Sequence, residues 1–347
     1  MIGVATLAPI PGQAAESAKT PFLCLACGDA GGADLLSNIV LFLPLGLSLA
    51  ALGVPWLVAA ALGLALSGVV EAMQYGVVAG RDASLSDLVA NTAGSAVGWV
   101  IMARRERWLR PSPAAARWLL VVWTALVAAT VLFTRWALEP DLPRGTWYGQ
   151  WTTGDPEPGF FSGRVVEVRL DGMRVPRWRV PSDLSQELAA RSAEIVRLAA
   201  AVVTGPPEPE PRRILSLATA RVRFLSLGTG HGDLSFGVRT RSARLRLLTP
   251  RFRLANGMAT AVGDTLLIGG WYTSGRAAIR SEGASARAAA YRLGWLDPWV
   301  FLWPGSVPAG AGLWLLRLAT ILTFLLPAWL WRRGVVPTPS KENRPAQ

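Results

Sequence analysis

The sequence predicts an α-helical transmembrane bundle joined to an all-β domain built as a sandwich. Hydrophobic residues make up 51% of the 347-residue chain, and its 16 tryptophans are typical of a protein that contacts both lipid and water. Long apolar runs, each near the roughly 20 residues needed to cross a bilayer, occupy the first part of the chain and recur near its C-terminus. Between them, short alternating runs broken by Gly, Pro and Asp are typical of antiparallel strands.

Five apolar runs have about the length of a spanning helix. They occupy residues 34–53, 55–79, 87–103, 116–137 and 310–331. The first four predict a transmembrane bundle of four spans over residues 34–139. The last predicts a final transmembrane helix over 306–333, followed by a polar, proline-containing tail at 334–347.

The distribution of arginine predicts the orientation of the bundle, because cytoplasmic loops of membrane proteins carry an excess of basic residues. Basic residues cluster between the third and fourth runs and after the last run: Arg104, Arg105, Arg107, Arg110, Arg117, Arg332 and Arg333. We therefore expect both of these ends on the cytoplasmic side. By alternation, residues 140–305 are then extracytoplasmic.

The first 33 residues do not complete this pattern. The run at 1–10 is apolar but too short to span, so we interpret residues 1–33 as the remnant of a first helix with an outer loop, and expect the reading frame to extend upstream. A signal peptide is disfavoured because no basic segment precedes the run. Cys24 and Cys27 have CxxC spacing on the predicted outer side, which favours a disulfide over a metal site.

Residues 140–305 are predicted to form the β-sandwich. Alternating runs occur at 163–170, 218–227, 234–239, 243–248 and 265–270. One amphipathic helix is predicted over 184–203, followed by a rigid Pro-rich connector at 205–211. A domain of about 150 residues is large enough to bury a core of its own.

Polar side chains recur inside the apolar runs at helical spacing. Each ionisable group in a bilayer core costs about 2.5–3.5 kcal/mol on insertion scales, so such groups are expected to have partners or a function. The members of each pair lie three or four residues apart on one helix face: Asp34 and Asn38, Glu71 and Gln74, Asp87 and Asn91. Arg81, in the loop between the second and third runs, is the expected counter-ion for a carboxylate or an anionic head group.

These polar faces are expected to converge near the extracytoplasmic end of the bundle. At a rise of about 1.5 Å per residue, Glu71 and Asn91 lie at comparable depths. Gly94 and Gly98 form a small-xxx-small step that permits close approach of two helices. Pro44 is expected to bend the first helix, as a structural feature rather than as an opening beside the site.

The order and spacing of these positions resemble the VanZ-like family. The resemblance covers about residues 30–103 and rests on four motifs: DLLSNIVLFLPLG (34–46), EAMQ (71–74), Arg81 and DLVANTAGSAVG (87–98). It implies a multi-pass protein of the bacterial cytoplasmic membrane, connected with teicoplanin and lipoglycopeptide resistance, and it assigns no catalytic residue. Residues 140–305 are similar, more distantly, to the concanavalin A-like or laminin-G-like jelly roll.

Three interpretations of the polar positions remain open. They form an interhelical hydrogen-bond network, a site for an envelope ligand, or an intramembrane catalytic site. Catalysis is disfavoured because no nucleophile, histidine or metal-ligand cluster accompanies Glu71. The expected ligand-binding cluster comprises Asp34, Asn38, Glu71, Gln74, Arg81, Asp87 and Asn91, and the expected structural positions are Pro44, Gly46, Gly94 and Gly98. The ligand would be a membrane lipid or a lipid-linked envelope precursor, with no cofactor and no metal.

The predicted sandwich offers weaker signals. Trp147, Tyr148 and Trp151 are either a sugar-stacking platform or, the favoured interpretation, anchors at the membrane interface. His231 is expected in a turn. Asp155, Asp171 and Asp233 are candidate calcium ligands, although no DxDxDG-like loop accompanies them.

The formal net charge is +12 and comes almost entirely from arginine, yet no nucleic-acid-binding motif is present, so a nucleic-acid partner is not expected. The sequence therefore favours a membrane protein that binds an envelope ligand. The alternative is a membrane-tethered glycan-binding module whose polar helical motifs are purely structural.

Overall fold

The structure is a computed structural model that describes five segments of the chain: 28–76, 84–154, 157–192, 194–283 and 285–335. The side chains at 74–76 and 334–335 are outside this description. Cys24, Cys27 and Arg81 also lie outside the described residues, so the disulfide and the counter-ion remain predictions.

The described residues of the N-terminal part form five helices, of which the fourth is only five residues long. They are α1 (Gly31–Ala51), α2 (Trp56–Gly76), α3 (Leu85–Ala103), α4 (Arg105–Leu109) and α5 (Pro113–Ala137). Serine caps begin two of them. The Ser84 hydroxyl accepts a hydrogen bond from the backbone N–H of Asp87 at 3.1 Å, and Ser112 does the same for Ala115 at 3.4 Å.

The C-terminal part of the chain contributes twelve short strands and two further helices. The strands of the first half are β1 (Tyr148–Trp151), β2 (Arg164–Leu170), β3 (Met173–Arg174), β4 (Trp178–Arg179) and, after helix α6 (Ser182–Arg191), β5 (Val196–Val203). Those of the second half are β6 (Arg212–Ala218), β7 (Arg223–Gly230), β8 (Asp233–Val238), β9 (Arg251–Leu254), β10 (Thr265–Thr273), β11 (Arg276–Glu282) and β12 (Arg287–Arg292). The final helix is α7 (Ala311–Val335).

The strands form two six-stranded antiparallel sheets, which confirms the predicted sandwich. One sheet has the order β4-β1-β6-β7-β8-β9 and the other β12-β11-β10-β5-β2-β3. Their facing residues form a continuous apolar core that includes Phe236 and Phe252 of the first sheet and Ile268 and Tyr272 of the second. Strands such as β5 and β11 alternate between buried and less buried positions, as expected when one face packs on the core.

Two element assignments within this domain were wrong. The predicted helix 184–203 is helical only over Ser182–Arg191, and its second half is β5, a central strand between β10 and β2. Leu198, Ala200 and Val202 point into the core at every second position, so the tertiary context overrides the helix propensity of the alanines. The predicted strand at 243–248 is instead mostly a short 3₁₀ helix, Arg241–Leu245.

The aromatic residues at the start of the sandwich are also placed differently from the prediction. Trp147 is fully buried and stacks on Phe224 at a ring distance of 4.6 Å, and Trp151 is 6% exposed. Neither indole is available to anchor in a membrane interface or to stack on a sugar. Trp295 and Trp303, which precede α7, are 48% and 40% exposed and remain compatible with an interfacial position.

Four helices are long and apolar enough to cross a membrane, considering the described residues only: α1, the Trp56–Met73 part of α2, α5, and the Ala311–Arg333 part of α7. The fifth predicted span, the run at 87–103, stays a prediction. The run at 87–103 is helical, as α3, but is not among the four. Ser86, Asp87, Asn91, Thr92 and Ser95 lower its apolar character, and α3 packs on both α1 and α2 rather than on lipid alone.

α1 and α3 run in the same direction and are in very close contact. A Cβ placed on Gly94 would collide with the backbone carbonyl of Ile39, and one placed on Gly98 with that of Leu43. In return, a Cβ on Gly46 would collide with the carbonyl of Ser95. The glycines therefore allow the two backbones to touch, as the small-xxx-small spacing predicts. α1 remains one helix through Pro44.

α5 and α7 form a second helix pair. The Trp123 indole N–H donates to the Phe324 carbonyl at 2.8 Å, and that of Trp331 donates to the Trp108 carbonyl at 2.7 Å. The second bond brings the arginines around α4 to the same end of the molecule as Arg332 and Arg333. Both basic clusters thus share one end of the bundle, as the orientation argument requires.

The sandwich packs on the opposite end of the bundle. The first backbone N–H groups of α1, those of Gly32 and Ala33, donate to the carbonyl of Arg246 at 3.0 and 3.1 Å. Arg246 adopts a left-handed conformation with φ of 56°. The Tyr272 phenol, whose pKa is raised by burial and which therefore stays protonated, donates to the Leu138 carbonyl at 2.5 Å. A loop of the sandwich is thereby tied to α1, and strand β10 is tied to the end of α5.

A buried ion pair connects α7 to the sandwich. Asp297 is fully buried and accepts hydrogen bonds from the Arg317 guanidinium, with both nitrogen–oxygen distances 3.0 Å. The second Asp297 oxygen also accepts the backbone N–H of Gly294 at 2.8 Å, and Arg317 donates to the Arg292 carbonyl at 2.5 Å. The start of α7 is therefore held against the end of β12.

We predict that Gly94→Ala destabilises the bundle by about 1–3 kcal/mol, because the added methyl group meets a backbone carbonyl that cannot move without shifting α1. Gly68→Ala in α2 is the matched control, since a Cβ there meets nothing within 4 Å. Thermal unfolding of both variants in one detergent measures the difference. Equal melting temperatures would contradict the close packing of α1 on α3.

Candidate functional site

The candidate site lies at the end of the bundle that carries the sandwich. α1 and α3 both begin at this end, and α2 runs in the opposite direction and finishes here, because Glu71 near its end contacts Ser84 at the start of α3. Asp34, Asn38, Glu71 and Asp87 are each within about 11 Å of a helix end at 1.5 Å rise per residue. The polar positions of three helices therefore gather at one level near the membrane boundary.

Asn38 and Asp87 join α1 to α3. The Asn38 amide Nδ2 donates to Asp87 Oδ1 at 2.5 Å, across 49 residues of sequence. Both side chains are half-buried. Asp87 also lies in the first turn of α3, where the helix dipole stabilises a carboxylate. One of the predicted convergences is thus present as a direct hydrogen bond.

Glu71 joins α2 to α3. Its Oε2 accepts the backbone N–H of Ser84 at 2.8 Å, and the side chain is 6% exposed. Ser84 is the residue that caps α3, so Glu71 and the Ser84 hydroxyl together satisfy backbone donors at the start of that helix. Asp87 lies in the first turn of α3, three residues after Ser84. The start of α3 is therefore surrounded by two carboxylates.

Asn91 joins α3 to α2 one turn further into the bundle. Its Nδ2 donates to the hydroxyl of Ser67 at 2.9 Å, and the two side chains are 1% and 0% exposed. The Asn91 Oδ1 is buried and has no hydrogen-bond partner among the described residues. Below it, the Ser95 hydroxyl lies 3.4 Å from the Ala59 carbonyl. The polar stripe of α3 therefore continues from the boundary into the bundle interior.

The remaining predicted positions are less defined. Asp34 is exposed in the first turn of α1, on the same helix as Asn38 and one turn nearer the boundary. The Gln74 side chain and all of Arg81 lie outside the described residues. Whether they join the cluster stays a prediction.

Two site residues were missed from the sequence. Ser67 precedes Glu71 by four residues on the same face of α2, which is the spacing that should have added it to the polar stripe. Ser84 precedes Asp87 by three residues, the spacing of a helix cap followed by an acidic residue. Both signals were present, but a lone serine in an apolar run is common and seldom marks a site.

The cluster is suited to accept hydrogen bonds. Its described members contribute the carboxylates of Asp34, Glu71 and Asp87 and the amides of Asn38 and Asn91. No group of three or more His, Cys, Asp or Glu side chains that could hold a metal ion occurs in the described ranges. A ligand with hydroxyl, amide or ammonium donors therefore fits the chemistry of the described groups.

The candidate calcium ligands of the sandwich are separated and engaged elsewhere. Asp171 follows β2 and bonds to the Ser192 hydroxyl, with Arg197 at 3.8 Å. Asp233 begins β8 in the other sheet and pairs with Arg253. Asp155 lies outside the described residues. His231 has φ of 53° in the β7–β8 turn, which confirms its assignment as a turn residue.

We predict that the Asn91–Ser67 hydrogen bond contributes a measurable coupling energy. In a double-mutant cycle of Asn91→Ala, Ser67→Ala and the double variant, the coupling should be about 0.6 kcal/mol and at most about 1.7 kcal/mol, the range found for such bonds in membrane bundles. Unfolding in detergent or lipid measures it. Strictly additive effects would show that the bond does not hold α2 on α3.

Comparison with known proteins addresses the bundle only. Residues 7–108 match the family model described as VanZ/LLP1. Neither a curated protein nor a solved structure matches the chain. The matched segment contains α1, α2 and α3 with all of their polar motifs, and the sandwich lies outside it. Over residues 7–108 the chain is thus similar to the VanZ/LLP1 family, and its described residues include four candidate membrane spans, as in a multi-pass membrane protein.

Proposed function

We propose that the protein binds the polar head group of an amphipathic envelope ligand, either a membrane lipid or a lipid-linked precursor, at the cluster between α1, α2 and α3. The observation that carries this proposal is the gathering of side chains from three helices at the boundary level. The polar interface on each side of a bilayer's roughly 30 Å hydrocarbon core is where a head group resides. An amphiphile can place its head there and its tail against the apolar helix surfaces.

Exposure of the cluster supports an entry route. Asp34 is exposed on α1, Asn38 and Asp87 are half-buried, and Glu71 and Asn91 are buried. The cluster therefore has an exposed member on α1 and buried members between α2 and α3. The buried Asn91 Oδ1, without a partner in the described segments, is an acceptor inside the bundle.

The orientation proposed is that the cluster and the sandwich are extracytoplasmic. Arginines near α4 and Arg332 with Arg333 share the end of the bundle opposite to the sandwich, held there by the Trp331–Trp108 bond. Basic ends of membrane helices remain in the cytosol. The bacterial cytoplasmic membrane is the proposed location, and the site then opens to the outer leaflet.

The proposal includes a role in glycopeptide resistance, which follows from the similarity to the VanZ-like family. A lipid-tailed glycopeptide such as teicoplanin combines a polar head with an acyl chain, which is the kind of amphiphile that a boundary site accepts. The proposed role is binding without turnover, since the single histidine of the chain, His231, lies in the sandwich and no metal-ligand cluster accompanies Glu71 in the described residues.

A second candidate function is a membrane-tethered glycan-binding module. The observation in its favour is that the pairs Asn38–Asp87, Glu71–Ser84 and Asn91–Ser67 each join two helices, as a purely structural network would. In this case we infer that the sandwich is the functional part and is of the concanavalin A-like jelly-roll kind. The four-strand meander β6-β7-β8-β9 in one sheet and the repeated crossings between sheets support that assignment.

We predict that native mass spectrometry of the detergent-purified protein shows a co-purifying lipid adduct that Glu71→Gln weakens or removes. The variant keeps an oxygen that can accept from Ser84 but loses the charge. Glu106→Gln is the matched control, because Glu106 is exposed on α4 at the other end of the bundle. If both variants retain the adduct, or if the native protein has none and Glu71→Gln merely melts earlier, the cluster is structural.

In a susceptible bacterial host, expression of the protein should raise tolerance to a lipid-tailed glycopeptide. Glu71→Gln and Asp87→Asn should each abolish the increase at equal membrane abundance, whereas Glu106→Gln should not. The measurement is the minimum inhibitory concentration alongside quantified membrane protein. Unchanged susceptibility in cells that express the protein well would contradict a role in glycopeptide tolerance. It would not contradict the binding of a lipid head group.

A further inference from the structure

A groove of about 340 Å³ lies on the outer face of the β4-β1-β6-β7-β8-β9 sheet. Ser226 and Gly228 of β7 and Ser235 and Gly237 of β8 form its floor. In the sheet register Ser226 is opposite Gly237, and Gly228 is opposite Ser235. The alternate residues of these strands are buried in the core. The floor is therefore a patch of small side chains on an otherwise well-formed sheet.

Gly237 has no conformational reason to be glycine, and the one close contact that a Cβ would make is with a serine hydroxyl that can rotate away. Its φ is not in the positive region where glycine is favoured, and a Cβ there would meet only the Ser226 hydroxyl, at 2.8 Å. Glycine within a strand weakens the sheet, and it often marks a place where another molecule approaches the backbone. The missing side chain deepens the groove at its centre.

Arginine surrounds this floor. The described residues that line the groove include four arginines, Arg212, Arg213, Arg223 and Arg251, against a single acidic residue, Glu210. The Arg213 guanidinium lies over the Phe160 ring at 4.9 Å, which orients the group without neutralising it. Arg251 is exposed and forms no ion pair with any described carboxylate. Arg212 lies 3.8 Å from Glu208 and 3.5 Å from Glu210, so its charge is partly balanced, and the described groove lining keeps a net positive charge.

Arginine also lies on the outer face of the second sheet. There, Arg169 pairs with Glu167 at 3.2 Å and Arg280 pairs with Glu282 at 3.3 Å, whereas the exposed Arg276 forms no ion pair with a described carboxylate. What distinguishes the groove is its concave shape and its floor of small side chains. Arg169 and Arg280 therefore supply a control for charge alone.

The groove extends away from the membrane part. Arg223 and Arg251 lie at the level of Val238, whose strand leads to the 3₁₀ helix that contacts α1, and the Arg251 carbonyl accepts the backbone N–H of Val307 just before α7. Arg212 and Arg213 lie near the opposite ends of the strands, beside the β7–β8 turn. Cationic groups at both ends of a hydroxyl-bearing floor suit an extended ligand with several negative charges.

We propose that this groove binds an anionic polysaccharide segment. The arginines pair with its carboxylate or phosphate groups, and the hydroxyls of Ser226 and Ser235 bond to its sugar hydroxyls. Nucleic acid is a poorer fit, because the only aromatic residue lining the described groove is Phe236, which is fully buried and offers no stacking surface. The inference rests on the second candidate function and names its site and ligand class; it is independent of the head-group site.

The test uses full-length protein in detergent and three probes: polygalacturonate, dextran phosphate and neutral dextran. Both anionic polymers should be better ligands than dextran, and the tighter of the two identifies the preferred anion. Raising the salt from low to physiological concentration should weaken binding several-fold, because exposed charges are screened. Biolayer interferometry or calorimetry gives the dissociation constants.

Three variants distinguish the effect of the groove arginines on binding from the effect of groove shape and from the effect of a lower net charge. Arg213→Ala with Arg251→Ala should weaken binding about tenfold or more. Arg169→Ala with Arg280→Ala removes the same net charge from the other sheet and should change binding less than about twofold. Gly237→Thr fills the floor without altering charge, is compatible with a strand, and should weaken binding at least about fivefold.

Several results would overturn the proposal. One is that dextran binds as tightly as the anionic polymers, and another is that the two double-arginine variants weaken binding equally. A third is that the groove variants lose binding to phosphatidylglycerol vesicles but keep binding to the polymers. Glu71→Gln serves to distinguish the two sites, since it should leave polymer binding intact. Conversely, the groove variants should keep any lipid adduct, so failure of one proposal does not imply failure of the other.

Discussion

The membrane part of the structure depends on one requirement: the polar groups that α3 carries into the bundle must find partners between helices. Asp87 meets Asn38 of α1, Asn91 meets Ser67 of α2, and Glu71 covers the backbone at the start of α3. An unpaired polar group in hydrocarbon costs several kcal/mol, so α3 can only reside between its neighbours. Glycines at 46, 94 and 98 bring the backbones near enough for these short side chains to reach one another.

That arrangement also determines where the sandwich can sit. α1, α5 and α7 all have an end at the level of the polar cluster, and each is tied to the sandwich, through the Arg246 carbonyl, the Tyr272 phenol and the Asp297–Arg317 pair respectively. A buried ion pair adds little net stability, since desolvation offsets its attraction, but removing one partner is strongly destabilising. Asp297 and Arg317 therefore act mainly to specify the position of α7 relative to the sandwich.

The two candidate sites have opposite electrostatic character. The described part of the bundle cluster is rich in carboxylates and lies near the membrane boundary, whereas the groove on the sandwich is lined by arginine and extends away from it. A ligand attracted to one is disfavoured at the other by charge. The two parts of the molecule are thus suited to different chemical groups, and the buried ion pair keeps those groups at a constant separation.

The sequence alone determined the class of protein, the helical bundle with its polar motifs, and the presence of an antiparallel sandwich, because hydrophobic length, helical spacing and strand alternation are local properties. The tertiary structure decided what local patterns cannot express. Residues 196–203 are alanine-rich and helix-compatible, yet form a central strand because neighbours on both sides supply hydrogen bonds. Ser67 and Ser84 join the cluster only because helix packing brings them opposite Asn91 and Glu71. The floor of the cationic groove combines residues from separate strands, so no single stretch of sequence predicts it.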